Sequence, residues 1–154
     1  MSRRLKQSVV VFVVVFAAAQ LVRPSRANPA TDAGRTIQAH LGTASGLVAV
    51  LDRSCSDCHS NATVWPWYTQ IAPVSWLIAY AVTEGRRAVN FSEWASYQPE
   101  VQRTLLSASC QEASTGKMPG IYTWVRPETQ LSAQDVETIC AAARQAEAHA
   151  ADGR

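Results

Sequence analysis

The sequence predicts an all-α domain behind an N-terminal hydrophobic helix. Apolar residues recur at helical spacing in several segments, and those segments begin and end on helix-boundary residues. No segment alternates apolar and polar residues as a half-buried strand does. With 154 residues, 47% of them hydrophobic, the chain has material for one small domain and its core.

The N-terminus reads MSRRLKQSVVVFVVVFAAAQLVRPSRANP. A basic head precedes an apolar run from Val9 to Ala19, extended to about Val22 if Gln20 is tolerated. The run is shorter than the roughly 20 residues that span a bilayer and fits a secretory hydrophobic region better. Ser25 and Ala27 stand at small-x-small spacing, which puts cleavage after Ala27; a retained anchor is the competing expectation. Either outcome exports the remainder, with the basic head left inside. The expected division is residues 1–27 as signal peptide or membrane anchor and 28–150 as the domain. The domain is then periplasmic, soluble after cleavage or tethered to the inner membrane. Charge agrees with that division. Five of the fourteen basic residues and no acidic residue lie before Asn28; nine basic and twelve acidic residues follow, a net −3. That argues against nucleic acid, which needs a basic face.

In the domain, Pro24 and Pro29 disfavour helix before Asp32, which caps a first helix to about Leu51. Ile37, Leu41, Leu47, Val48 and Leu51 form its buried side, and Gly42 and Gly46 weaken its middle. Residues 53–72 are a loop broken by Pro66. Pro73 opens a second helix, PVSWLIAYAVTEGRRAV, with Val74, Trp76, Leu77, Tyr80, Ala81 and Glu84 on successive turns. Gly85 loosens or ends it. NFSEWASYQPE connects to a third helix from Pro99 to Ser114, with Val101, Leu105, Leu106 and Ala108 inward and Gly116 marking its end. KMPGIYTWVRPETQ holds three breakers and reads as a loop. In the final helix Ser132 is the N-cap with Asp135 three residues on, and Leu131, Val136, Ile139, Cys140 and Ala143 make the apolar stripe.

The chemistry sits in SCSDCHSNATVWPWYTQIAPVSW, residues 54–76. Cys55, Cys58 and His59 form C-x-x-C-H, the attachment signature of c-type haem. Two thiols at that spacing add to the two vinyl groups, and the adjacent histidine reaches the iron from one face. A low-spin iron needs a second axial ligand, usually Met or His. Met118, in STGKMPGIY, is the usable methionine, because Met1 lies at the far end of the leader; His40 and His149 are the rivals. Trp65, Trp67, Tyr68 and Trp76 are candidates to wall the pocket or to hydrogen-bond a propionate. Arg86 and Arg87 read first as a solvated helix end and second as propionate partners. Cys110 and Cys140, on different helices of an exported chain, read as a disulfide, with two buried free thiols as the other reading.

Two other readings compete for Cys55 and Cys58. A thiol–disulfide oxidoreductase places its dithiol at a helix start in a βαβ context, which is missing here. It also leaves His59 and Met118 without a role. A zinc site needs a second paired set of ligands, and Cys110 and Cys140 lack paired spacing.

Beyond the motif itself, RPSRANP, CSDCHSNATVWPWYTQIAPVSWLI, EGRRAVNFSEW and GKMPGIYTWVRPETQLSAQDVETIC occur in an order that resembles the bacterial haem-binding domain family, small exported proteins related to c-type cytochromes. The resemblance runs from about Gln20 to Ala143. It implies a cytochrome c-like helical fold around one haem c per chain, held covalently by Cys55 and Cys58, with His59 and Met118 as iron ligands. One departure is Val-Arg-Pro at 125–127, where many relatives carry His-Pro; this leaves Met118 with less competition. The expected activity is one-electron transfer with redox partner proteins, the protein itself doing no bond chemistry and so not an enzyme. The alternative is a haem-based sensor or small-ligand binder with a displaceable sixth ligand.

Overall fold

The computed structural model describes residues 2–41 and 46–152, and every regular element among them is helical. In chain order these are α1 (Arg3–Ala19), α2 (Ile37–Leu41), α3 (Gly46–Ser54), α4 (Ser56–His59), α5 (Val74–Ala88), α6 (Pro99–Ser114) and α7 (Ala133–Ala151). Short 3-10 turns fill the connections, notably Trp67–Gln70, Phe91–Ser96 and Gly120–Trp124.

Helix α1 has no buried residue. Its 17 residues fall below bilayer length, and among the described residues no helix is long and apolar enough to cross a membrane. The expectation of a spanning anchor is therefore not met.

The expected first helix is divided. Asp32 caps only a 3-10 turn, Ala33–Arg35, through its side chain and the Gly34 N–H at 2.9 Å. Thr36 is extended, and its hydroxyl accepts from Ala39 N–H at 3.3 Å to start α2. The chain resumes as α3; Gly42 lies outside the described residues. Ile37, Leu47, Val48 and Leu51 are buried as expected, whereas Leu41 is exposed.

Helix α6 has the expected bounds, and Gly116 ends it at φ +69°. Of its expected inward residues Leu106 is buried, Leu105 is half-buried, and Val101 and Ala108 are exposed. Ser132 and Asp135 form the full capping box of α7. Asp135 also meets Arg53 of α3 at 2.8 Å, which ties those two helices together. Helices α6 and α7 pack on one another and are joined by the Cys110–Cys140 disulfide. The core lies between them and the α2–α3 segment, built from Ile37, Leu47, Leu51, Phe91, Trp94, Leu106 and Ile139.

Helix α5 turns the opposite way from its apolar pattern. Ser75, Ala79, Val82 and Gly85 face inward, while Leu77 and Tyr80 are about two-thirds exposed. The reason is close approach. A Cβ on Gly85 would stand 2.5 Å from the Cys58 carbonyl oxygen, so only small residues let α5 lie against α4. Gly85 does not end the helix; it admits the neighbouring backbone.

Candidate functional site

The C-x-x-C-H segment occupies one helical turn. Cys55 N–H donates to Leu51 O at 2.9 Å, so α4 continues almost directly from α3. Cys55 is its N-cap residue, and His59 N–H donates to Cys55 O at 3.0 Å. The chain after the motif is pinned from several sides. Asn61 N–H donates to Ser92 Oγ at 2.9 Å, and Asn90 Nδ2 donates to Asn61 Oδ1 at 2.8 Å. Arg86 Nε donates to Ser60 O at 2.7 Å, and Arg86 Nη2 to Thr63 Oγ1 at 2.9 Å. Arg86 is therefore a clasp over this loop and not a solvated helix end. Arg87 is exposed, as expected of a solvated helix end, and pairs with Glu84.

His59 is oriented by α5. Its Nδ1 lies 2.9 Å from Gly85 O and 3.3 Å from Val89 O, both acceptors, so Nδ1 carries the proton. Burial pushes the imidazole below its ordinary pKa despite those two carbonyls, which keeps it neutral. A neutral ring protonated at Nδ1 offers the Nε2 lone pair to a metal, the arrangement found where a backbone carbonyl sets a ligand histidine's tautomer.

Cys55 and Cys58 are free thiols. Burial pushes Cys55 up to about 12, with Cys58 adding to the rise and Arg53 opposing it. Burial also raises Cys58, to about 11, with the Asp57 carboxylate adding and Arg86 opposing. Redox-active dithiols need the reverse, an attacking cysteine with a lowered pKa.

Cys55, Cys58, His59 and Met118 open onto one cavity of about 350 Å³. Its walls are mainly apolar, from Leu51, Phe91, Leu105, Leu131 and Ile139, and its volume falls within the range of small-molecule and cofactor sites. The donor set fits a haem: two protonated thiols, a neutral imidazole and a thioether round one apolar space. An orphaned atom supports the fit. Ser54 Oγ is buried with no hydrogen-bond partner among the described residues, on a residue that lines the same cavity. A bound molecule with an acceptor would satisfy it.

The far side of the cavity is tied to the motif through Asp57. Its Oδ2 accepts from Tyr122 Oη at 3.1 Å and lies 3.3 Å from Arg126 Nη1, while Oδ1 accepts from Val64 N–H at 3.0 Å. Burial and the neighbouring carboxylate both raise the Tyr122 phenol, so it stays a donor. Tyr122 and Arg126 follow Met118 on the same loop, so Asp57 clamps the methionine segment to the motif turn. Met118 itself is 47% exposed at the cavity edge.

Residues 14–145 match the family described as haem-binding domain. The chain belongs to the haem-binding domain family. No curated protein and no solved structure matches it.

Within this haem-binding domain, Trp65, Trp67, Tyr68 and Trp76 are not part of the cavity lining. Trp65 Nε1 donates to Asn28 Oδ1 at 3.2 Å, Trp67 is 74% exposed, and Trp76 Nε1 donates to Val22 O at 2.8 Å. Tyr68 Oη is buried without a partner. Trp76 stands against the N-terminal segment because α5 presents its small-residue face to α4, and Tyr68 lies near enough to Tyr122 to raise its phenol. His40 and His149 are exposed, and neither lines the cavity. Residues that sequence reasoning missed are Ser54, Asp57, Gly85, Tyr122 and Arg126. Only Gly85 carried a usable signal: a glycine inside a helical pattern often marks close packing.

Proposed function

We propose that this haem-binding domain is an exported one-electron carrier that holds a single haem c. The observation that supports it best is the convergence of Cys55, Cys58, His59 and Met118 on one apolar cavity. Cys55 and Cys58 would hold the haem through thioether links to its two vinyl groups. His59, through Nε2, and Met118, through its sulfur, would be the residues that hold the iron. The haem supplies the reversible ferric–ferrous couple when bound. The chain's own share is to keep His59 neutral and aimed, to exclude water with apolar walls, and to hold Met118 through the Asp57 clamp. Redox partner proteins deliver and remove the electron.

A second reading has one observation in its favour. Met118 is half exposed, which suits a displaceable ligand in a sensor or small-ligand binder. The test is the absorption spectrum of the full chain made in a bacterial host with cytochrome c maturation, before and after acid–acetone extraction. Haem that stays with the polypeptide, together with the far-red band of methionine-ligated ferric haem, is expected. Met118→Ala should abolish that band and leave the haem attached. Covalent haem with a high-spin spectrum in the unaltered protein would move the assignment to the sensor, and extractable haem would refute covalent attachment.

A further inference from the structure

The segment after α1 is built into the domain. Gln20 reads the Ala72 backbone from both sides: its Oε1 accepts from Ala72 N–H at 3.0 Å, and its Nε2 donates to Ala72 O at 3.4 Å. Val22 O accepts from Trp76 Nε1 at 2.8 Å, and Arg26 Nη1 donates to Thr69 O at 3.0 Å. Arg86, the clasp over the motif loop, donates through Nη1 to Ala27 O at 3.1 Å and through Nη2 to Asn28 Oδ1 at 2.9 Å. Cleavage after Ala27 would remove the first four of these partners. It would also leave a cationic amino terminus on Asn28, beside the Arg86 guanidinium, where like charges repel. The family match begins at residue 14, inside α1, so the haem-binding domain as a family includes this segment.

We infer that Gln20–Asn28 is a structural strap of the domain and not the end of a removable leader, so that α1 stays attached and seats the domain on a lipid surface through Trp76, Leu77 and Tyr80. Helix α1 carries an exposed valine and phenylalanine run behind Arg3, Arg4 and Lys6, which suits apolar contact with acyl chains and attraction to anionic headgroups. The strap brings its end to α5 at Trp76. Leu77, 64% exposed, and Tyr80, 67% exposed, continue that side of α5. Tryptophan and tyrosine beside an emerging apolar helix are the composition of a membrane–water boundary.

This inference rests on the export proposed above, and its readouts do not depend on haem ligation. The full chain is produced in a bacterial host with cytochrome c maturation, and the intact mass of the mature protein is measured. The expected mass retains α1 and the strap; a mature chain that starts at Asn28, or anywhere after Gln20, overturns the inference. The purified protein is then floated with vesicles of phosphatidylethanolamine and phosphatidylglycerol. The double variant Leu77→Ser/Tyr80→Ser should lower the bound-to-free ratio at least roughly tenfold, because two exposed apolar side chains stop transferring out of water. Those side chains are solvent-facing, so the variant keeps the fold, which circular dichroism checks. Unchanged flotation would overturn the lipid assignment and leave that face to a protein partner. An absorption spectrum of the same sample separates failure of haem loading from failure of this inference.

Discussion

Alanine at position 85 should destabilise the domain, although glycine is the poorer helix former. In an open helix interior the change is favourable by about 1 kcal/mol. Here the added Cβ would stand 2.5 Å from Cys58 O, 2.9 Å from Cys58 C and 3.1 Å from Cys58 Cβ. The first two are backbone atoms and cannot rotate away, so α4 and α5 must separate. Overpacking of this kind costs about 1–3 kcal/mol. Separation also strains the His59–Gly85 hydrogen bond, worth about 1 kcal/mol. The steric and hydrogen-bond losses together exceed the propensity gain, for a net loss of roughly 1–3 kcal/mol. Urea unfolding followed by circular dichroism measures it. Gly46→Ala is the control, because its Cβ would meet Thr138 Cγ2 at an ordinary 3.8 Å, and it should be neutral or slightly stabilising. A Gly85→Ala protein as stable as the unaltered one would refute the close-approach argument and, with it, the account of why α5 presents its small-residue face.

Three further perturbations follow from the site and its supports. Tyr122→Phe removes the phenol that donates to Asp57; a loss of about 1 kcal/mol is expected, and in a double-mutant cycle with Asp57→Asn the two losses should not add. Cys110→Ser with Cys140→Ser opens a loop spanning 30 residues, for which loop-closure entropy gives about 3–4 kcal/mol; thermal unfolding of the variant, and of the unaltered protein with reductant, should drop together. The Ser132 backbone N–H and hydroxyl hold the Asp135 carboxyl below its ordinary value. A depressed folded-state pKa means that its stabilisation is present above the unfolded value near pH 4 and is lost as pH falls through the folded one. Urea midpoints measured from neutral to acidic pH should fall less steeply in Asp135→Asn.

The sequence by itself determined the ends of α6 and the start of α7, while Asp32 and Gly85, equally local signals, did not act as expected. Pro99 and Gly116 bound α6, Ser132 with Asp135 starts α7, and Cys55, Cys58 and His59 are adjacent in the chain, so none of these depends on what packs against it. That Met118 lines the same cavity was legible only through the scarcity of candidate ligands and the family resemblance. What the tertiary structure decided is which faces are inside. The bulky residues of α5 predict a buried stripe through Trp76, Leu77 and Tyr80, yet Ser75, Ala79, Val82 and Gly85 are the ones that face inward. Hydrophobic pattern measures the gain from burial and not the separation of backbones, and the α4–α5 approach at Gly85 admits no side chain. The same limit hid the Asp57 clamp and the Arg86 clasp, whose partners are tens of residues away and meet only because the helices around the cavity bring them together.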